Sequence, residues 1–73
     1  MSFREYIARA RITDSPVGDF VADARRDSNL PDASTWSEVE THLRTRRAHT
    51  DAISAGRRVW RNYQASRRRK GQT

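Results

Sequence analysis

D-S-P-V-G-D-F-V-A-D-A-R-R-D-S-N-L-P, residues 14–31, is the stretch whose reading decides the fold. Ser15 is a good N-cap, its side-chain oxygen able to accept from the orphan backbone N–H groups of a first helical turn. Pro16 then falls at the first helical position, where its missing N–H costs nothing. Val17, Phe20, Val21 and Ala24 follow at i, i+3, i+4 and i+7, one apolar stripe of an α-helix. Asp19 near the start and Arg25 and Arg26 near the end suit the helix dipole. Asn29 and Pro31 stop the element. A short helix with one apolar face cannot bury that face alone, so it needs partners from both sides of the sequence.

Upstream, Ser2 and Glu5 form an S-x-x-E capping box, and Phe3, Tyr6, Ile7 and Ala10 repeat at helical spacing, which predicts a first helix over residues 3–10. Downstream, residues 32–35 read as a polar connection. Thr35 and Glu38 make a second capping box, so a third helix starts at Ser34 or Thr35. Trp36, Val39 and Leu43 mark its buried face, and Arg44, Arg46 and Arg47 close it. The last and longest helix runs from about His49 to Ser66 or beyond, with Ala52, Ile53, Gly56, Val59, Trp60 and Tyr63 on one side. Gly56 inside that helix costs about 1 kcal/mol relative to alanine. Close backbone approach by another helix would offset it.

At 73 residues the chain is one domain with a modest core and no cysteine to reinforce it. The large apolar side chains suffice for a single helical core and leave few to line a substrate cavity, which argues against a small pocketed enzyme. Residues 1 and 2 lead directly into a capped helix, with no signal peptide in view and no apolar run near membrane-spanning length. The chain is expected to be cytoplasmic.

Charge is unevenly placed. The net +6 divides into a body, residues 1–56, with eight arginines against nine acids, and a final segment, residues 57–73, with seven cations and no acid. The seven are Arg57, Arg58, Arg61, Arg67, Arg68, Arg69 and Lys70. A near-neutral body with a cationic end points to a nucleic acid, an anionic membrane surface or an acidic protein as partner. Arginines on one helix face followed by an arginine run form an electrostatic footprint for phosphates, and without a base-reading motif the contact would be with the backbone. A solvated face is the plainer reading of the same residues.

The remaining chemistry-bearing residues have structural explanations. Trp36 and Trp60 could stack on bases, but each lies in an apolar stripe, as do Tyr6 and Tyr63, and core packing accounts for all four. Asp19, Asp23 and Asp27 recur at i, i+4 and i+8 and could receive a basic partner. They could equally cap, suit the dipole and pair with nearby arginines. A metal site is not expected there, because hard-cation ligands gather in a tight loop. His42 and His49 alone are too few for a metal. Ser54, His49 and Asp51 share only the names of a hydrolytic triad. No catalytic residue, metal or cofactor is expected.

Taken together, several of these residues resemble the YozE SAM-like family, small bacterial and phage proteins with a sterile-alpha-motif-like orthogonal helical bundle. Ser2, Phe3, Tyr6 and Ile7 fit the family's opening S-F-x-x-Y-L pattern. Asp14, Pro16, Val17, Gly18, Asp19 and Phe20 resemble its D-x-P-I-G-D-L segment, which Asp23, Asp27, Leu30 and Pro31 continue. Glu38, Val39 and Leu43 match its third helix, and Ala52, Trp60 and Tyr63 its A…W-x-x-Y. The resemblance implies a fold and no catalytic residues, since the family has no established activity. This chain departs from it on the last helix, carrying Arg57, Arg58 and Arg61 where family members carry acids.

The expectation is therefore an all-α, four-helix SAM-like bundle over residues 1–65 with a basic extension over residues 66–73. Its function would be non-enzymatic: binding DNA or RNA backbone through Arg57, Arg58, Arg61 and the four cations of the extension. The alternative is a protein-interaction module in which an acidic face around Asp19, Asp23 and Asp27 meets a basic face, with weak self-association as one form of it.

Overall fold

Three of the four helices begin on the hydroxyl side chains that the sequence marks. The computed structural model describes residues 1–71, with side chains through Arg68. It contains α1 (Phe3–Arg9), α2 (Pro16–Arg26), α3 (Trp36–Thr45) and α4 (Thr50–Gly71), and no strand among the described residues. Ser2 Oγ accepts from the Glu5 N–H at 3.2 Å, Ser15 Oγ from Gly18 at 3.1 Å and Thr35 Oγ1 from Glu38 at 3.4 Å. Glu38 answers by accepting from the Ser34 N–H at 2.9 Å. At α4, His49 takes this role with a ring nitrogen: Nδ1 accepts from the Asp51 N–H at 3.1 Å.

Helix α2 packs chiefly on α4 and also on α1, while α3 packs on α4. The stripes converge on one core of Phe3, Ile7, Phe20, Val21, Ala24, Leu30, Val39, Leu43, Ala55, Val59, Trp60 and Tyr63. Phe3 is fully buried and meets the Trp60 ring at 5.0 Å and the Tyr63 ring at 5.4 Å, tilted or edge-on, the geometry that aromatic quadrupoles prefer. The Tyr63 hydroxyl donates to the Met1 carbonyl at 3.3 Å, fastening the start of the chain to α4.

Four details depart from the sequence reading. Helix α2 gives way at Asp27, two residues before Asn29, because the Asp27 carboxylate turns back to accept from the Asn29 N–H at 3.0 Å. The connection over residues 32–35 is not merely polar: Ala33 is buried, and Asp32 Oδ1 accepts from the Arg4 N–H at 3.1 Å, capping α1 from 28 residues away. Helix α3 ends at Thr45 rather than continuing through the arginines. Ala48 N–H donates to Leu43 O and Arg47 N–H to Arg44 O, a Schellman closure with Arg47 at φ 58° in the position that glycine favours. Finally, what lies close to Gly56 is side chain rather than backbone. A Cβ there would stand 2.8 Å from Phe20 Cε2 and 3.3 Å from Leu43 Cδ1.

The other close approach is tighter. A Cβ on Gly18 would fall 1.7 Å from the Thr13 carbonyl oxygen, so the turn before α2 lies directly on that helix's first turn. Arg25 then spans to α1, its guanidinium donating to Ile7 O at 3.1 Å and to Ala10 O. These are carbonyls at the end of α1 that have no intrahelical partner.

Candidate functional site

Helix α4 carries the cationic residues, and its geometry sorts them. Val59, Trp60 and Tyr63 face the core, and Arg57, Arg58, Arg61, Arg67 and Arg68 are exposed. Arg57, Arg61 and Arg68 stand at i, i+4 and i+11, a single line along the helix spanning about 16 Å at 1.5 Å per residue. Arg58 stands to one side of that line. Arg67 lies over the Tyr63 ring, 5.6 Å from its centroid, and so extends the aromatic cluster as well as the charge.

Among the described residues no carboxylate neutralises this line. Among them, Arg46 pairs with Asp27 and Arg44 with Glu40, while the imidazoles of His42 and His49 lie beside Asp27 and Asp51. Arg57, Arg58, Arg61, Arg67 and Arg68 take part in none of these contacts. The expected extension over residues 66–73 shares the backbone of α4 as far as Gly71. The side chains of Arg69 and Lys70, and all of Gln72 and Thr73, lie outside the described residues.

The three aspartates do not form one face. Asp19 and Asp23 are exposed on α2. Asp27 is beyond the helix end, its side chain only 9% exposed and held between α2 and α3 by His42 Nε2 at 2.7 Å and by the Arg46 guanidinium. Burial alone would raise its pKa. Hydrogen bonds from His42, the Asn29 N–H and Arg46, with the Arg46 charge, outweigh burial and hold the carboxyl below its ordinary range. An ionised carboxylate only accepts, so His42 Nε2 must carry the proton of that bond.

A feature absent from the sequence reading lies beside this cluster. A groove of about 580 Å³ opens between α2 and the α3–α4 junction. Its floor is made by Phe20, Ala24, Leu30, Leu43, Ala48 and Ala52, and Asp19, Asp23 and Asp51 stand at its rim. The large apolar residues are indeed used in the core, yet three alanines leave a depression above them. Nothing in the sequence marks these positions, because no local rule brings Ala24 of α2 and Ala52 of α4 to the same groove.

Trp60 is buried and Trp36 half-buried against the core, so neither forms an open stacking platform. His49 serves as the cap of α4, and Ser54 lies exposed one turn further along. Among the described residues no helix is long and apolar enough to cross a membrane.

No curated protein and no solved structure matches the chain. A family model described as the YozE SAM-like fold matches residues 2–65, nearly the whole helical bundle and all three helix starts with a hydroxyl cap. With its four helices, its aromatic clamp between α1 and α4, and its glycine-dependent entry into α2, this chain belongs to the YozE SAM-like fold family.

Proposed function

We propose that this protein is a non-catalytic accessory factor of the cytoplasm that lies along a nucleic-acid backbone through α4. The observation that carries the reading is the line of Arg57, Arg61 and Arg68, flanked by Arg58 and Arg67 and without a carboxylate partner among the described residues, on a helix that has no acid after Asp51. Arginines at i, i+4 on a helix have Cβ atoms about 6 Å apart, so their guanidinium groups rise from the same face. Bidentate guanidinium–phosphate contacts are strong and geometrically selective. The body of the protein contributes nearly no net charge, so binding would be local to α4 and independent of base sequence. Arg69 and Lys70 would add to it.

Titration of duplex and single-stranded probes across a salt series tests the reading. If Arg57, Arg61 and Arg68 alone neutralise phosphates, log K against log salt has a slope of about −3 on duplex; with all seven cations it approaches about −6. Arg57→Glu with Arg61→Glu lowers affinity at every salt concentration and flattens the slope by about 2. No binding at low salt, or an unchanged slope in that double variant, overturns the proposal.

A second reading, a protein-interaction module, is supported by the exposure of Asp19 and Asp23 beside an apolar-floored groove.

A further inference from the structure

The groove between α2 and the α3–α4 junction combines features that single it out from the rest of the surface. At about 580 Å³ it is far larger than the depression of about 100 Å³ beside Tyr63 and Arg67. Its floor is apolar, and Ala24, Ala48 and Ala52 are short enough for another chain to approach closely. Its rim is acidic. Asp19, Asp23 and Asp51 are all exposed; among the described residues Asp19 and Asp23 have no cationic partner, and Asp51 has only the His49 imidazole, 3.6 Å away. The rim also holds Arg26 and Arg46, but Arg46 is held by Asp27, which leaves Arg26 as the one guanidinium set against three carboxylates.

We propose that this groove docks an amphipathic helical segment of another protein, one whose apolar side chains are flanked by arginine or lysine. The charge complementarity decides the occupant: an acidic partner would meet three carboxylates, and an uncharged apolar one would leave them facing its surface. Walls drawn from α2 and the first turn of α4 can receive a helix laid in the groove, with apolar anchors at i and i+4 over the alanines and cations reaching the rim. Asp19 and Asp23 are one helical turn apart, so two basic residues spaced i, i+4 on the incoming helix can meet them together. Asp27 and Arg46 line the groove at the α3 end, where Asp27 also bonds His42 of α3. This inference stands apart from the nucleic-acid reading, because it uses none of the α4 arginines.

The test uses the full chain and a synthetic amphipathic peptide of about four helical turns, with leucines at i and i+4 flanked by arginines. A partner peptide carries glutamates in place of the arginines. The arginine peptide is expected to bind, weakening as salt rises, with amide shift changes confined to residues 19–27 and 46–52. Asp19→Lys with Asp23→Lys is expected to weaken binding by about tenfold or more, equivalent to 1.4 kcal/mol or more. Ala52→Leu, which fills the floor and leaves the rim charge intact, is expected to weaken it similarly while circular dichroism shows the fold retained.

Equal binding of the glutamate peptide overturns the proposal, as do shift changes lying elsewhere, full affinity in both variants, or no binding by the arginine peptide at low salt. Sedimentation that shows the protein associating with itself through this face, abolished by Asp23→Lys, would make a second copy the occupant and overturns it too.

Discussion

His42 Nε2 donates to Asp27 Oδ2 across 2.7 Å, joining the last turn of α3 to the residue that ends α2. Neither helix start nor apolar stripe specifies this bond. It ties the end of α3 to the end of α2, where Asp27 lines the groove.

Because Asp27 is held below its ordinary pKa of 3.8, the folded protein binds fewer protons at this site than the unfolded chain between the two values. Its stabilising contribution is complete above the unfolded pKa and disappears as pH falls through the folded one. Urea denaturation followed between neutral pH and strong acid should therefore show a loss of stability below about pH 4, which Asp27→Asn removes in part. At neutral pH, Asp27→Ala should cost about 2 kcal/mol, since it strips a half-buried histidine of its acceptor and Arg46 of its partner.

The two helical glycines should differ sharply on substitution by alanine. At Gly18 the new methyl would meet the backbone carbonyl of Thr13, which cannot turn aside, and Gly18→Ala should cost about 3 kcal/mol or more, enough to unfold much of so small a domain. At Gly56 the obstacle is the edge of the Phe20 ring, and alanine recovers about 1 kcal/mol of helix propensity. Gly56→Ala should be destabilising by about 1–2 kcal/mol, the balance of that gain against displacement of a buried ring. Denaturant midpoints of the two variants check the order.

Arg47 holds a left-handed conformation that costs a side chain about 1–2 kcal/mol. Arg47→Gly should raise stability by about 1 kcal/mol, preserving the Schellman bonds of Ala48 and Arg47 while removing the Cβ clash. Its affinity for nucleic acid should be unchanged, as Arg47 lies outside the α4 line. Thermal and urea unfolding measure the first part, and the salt titration measures the second.

Arg25 satisfies the carbonyls of Ile7 and Ala10 at the end of α1. Arg25→Met keeps the apolar stem and removes the donors, and should cost about 1–2 kcal/mol. Hydrogen exchange should show the loss first in the α1 amides, since a seven-residue helix has little stability of its own.

Much of this fold is local and therefore legible. Ser2, Ser15 and Thr35 cap the helices that follow them because the capping bond reaches only three residues ahead. Pro16 sits where helix geometry tolerates it, and the stripes through Phe20, Val39 and Val59 follow from 3.6-residue periodicity. The arginines of α4 were legible as a cationic segment for the same reason, and the periodicity that buries Val59 and Trp60 exposes Arg57 and Arg61.

Other features depend on partners distant in sequence. Asp19, Asp23 and Asp27 share a spacing, yet Asp27 leaves the set because His42 and Arg46, 15 and 19 residues further on, draw its carboxylate inward. Arg25 resembles a residue completing its own helix dipole, but its guanidinium serves a helix that ended 16 residues earlier. Asp32 caps α1 from beyond α2 in the chain, and the groove is lined by both Ala24 of α2 and Ala52 of α4. Sequence alone determined where the helices start, which faces turn inward and how charge is distributed, because those rest on contacts within a turn or two. Tertiary structure alone decided which polar groups remain free for a partner, because a side chain's availability depends on what the packed chain brings within hydrogen-bonding reach.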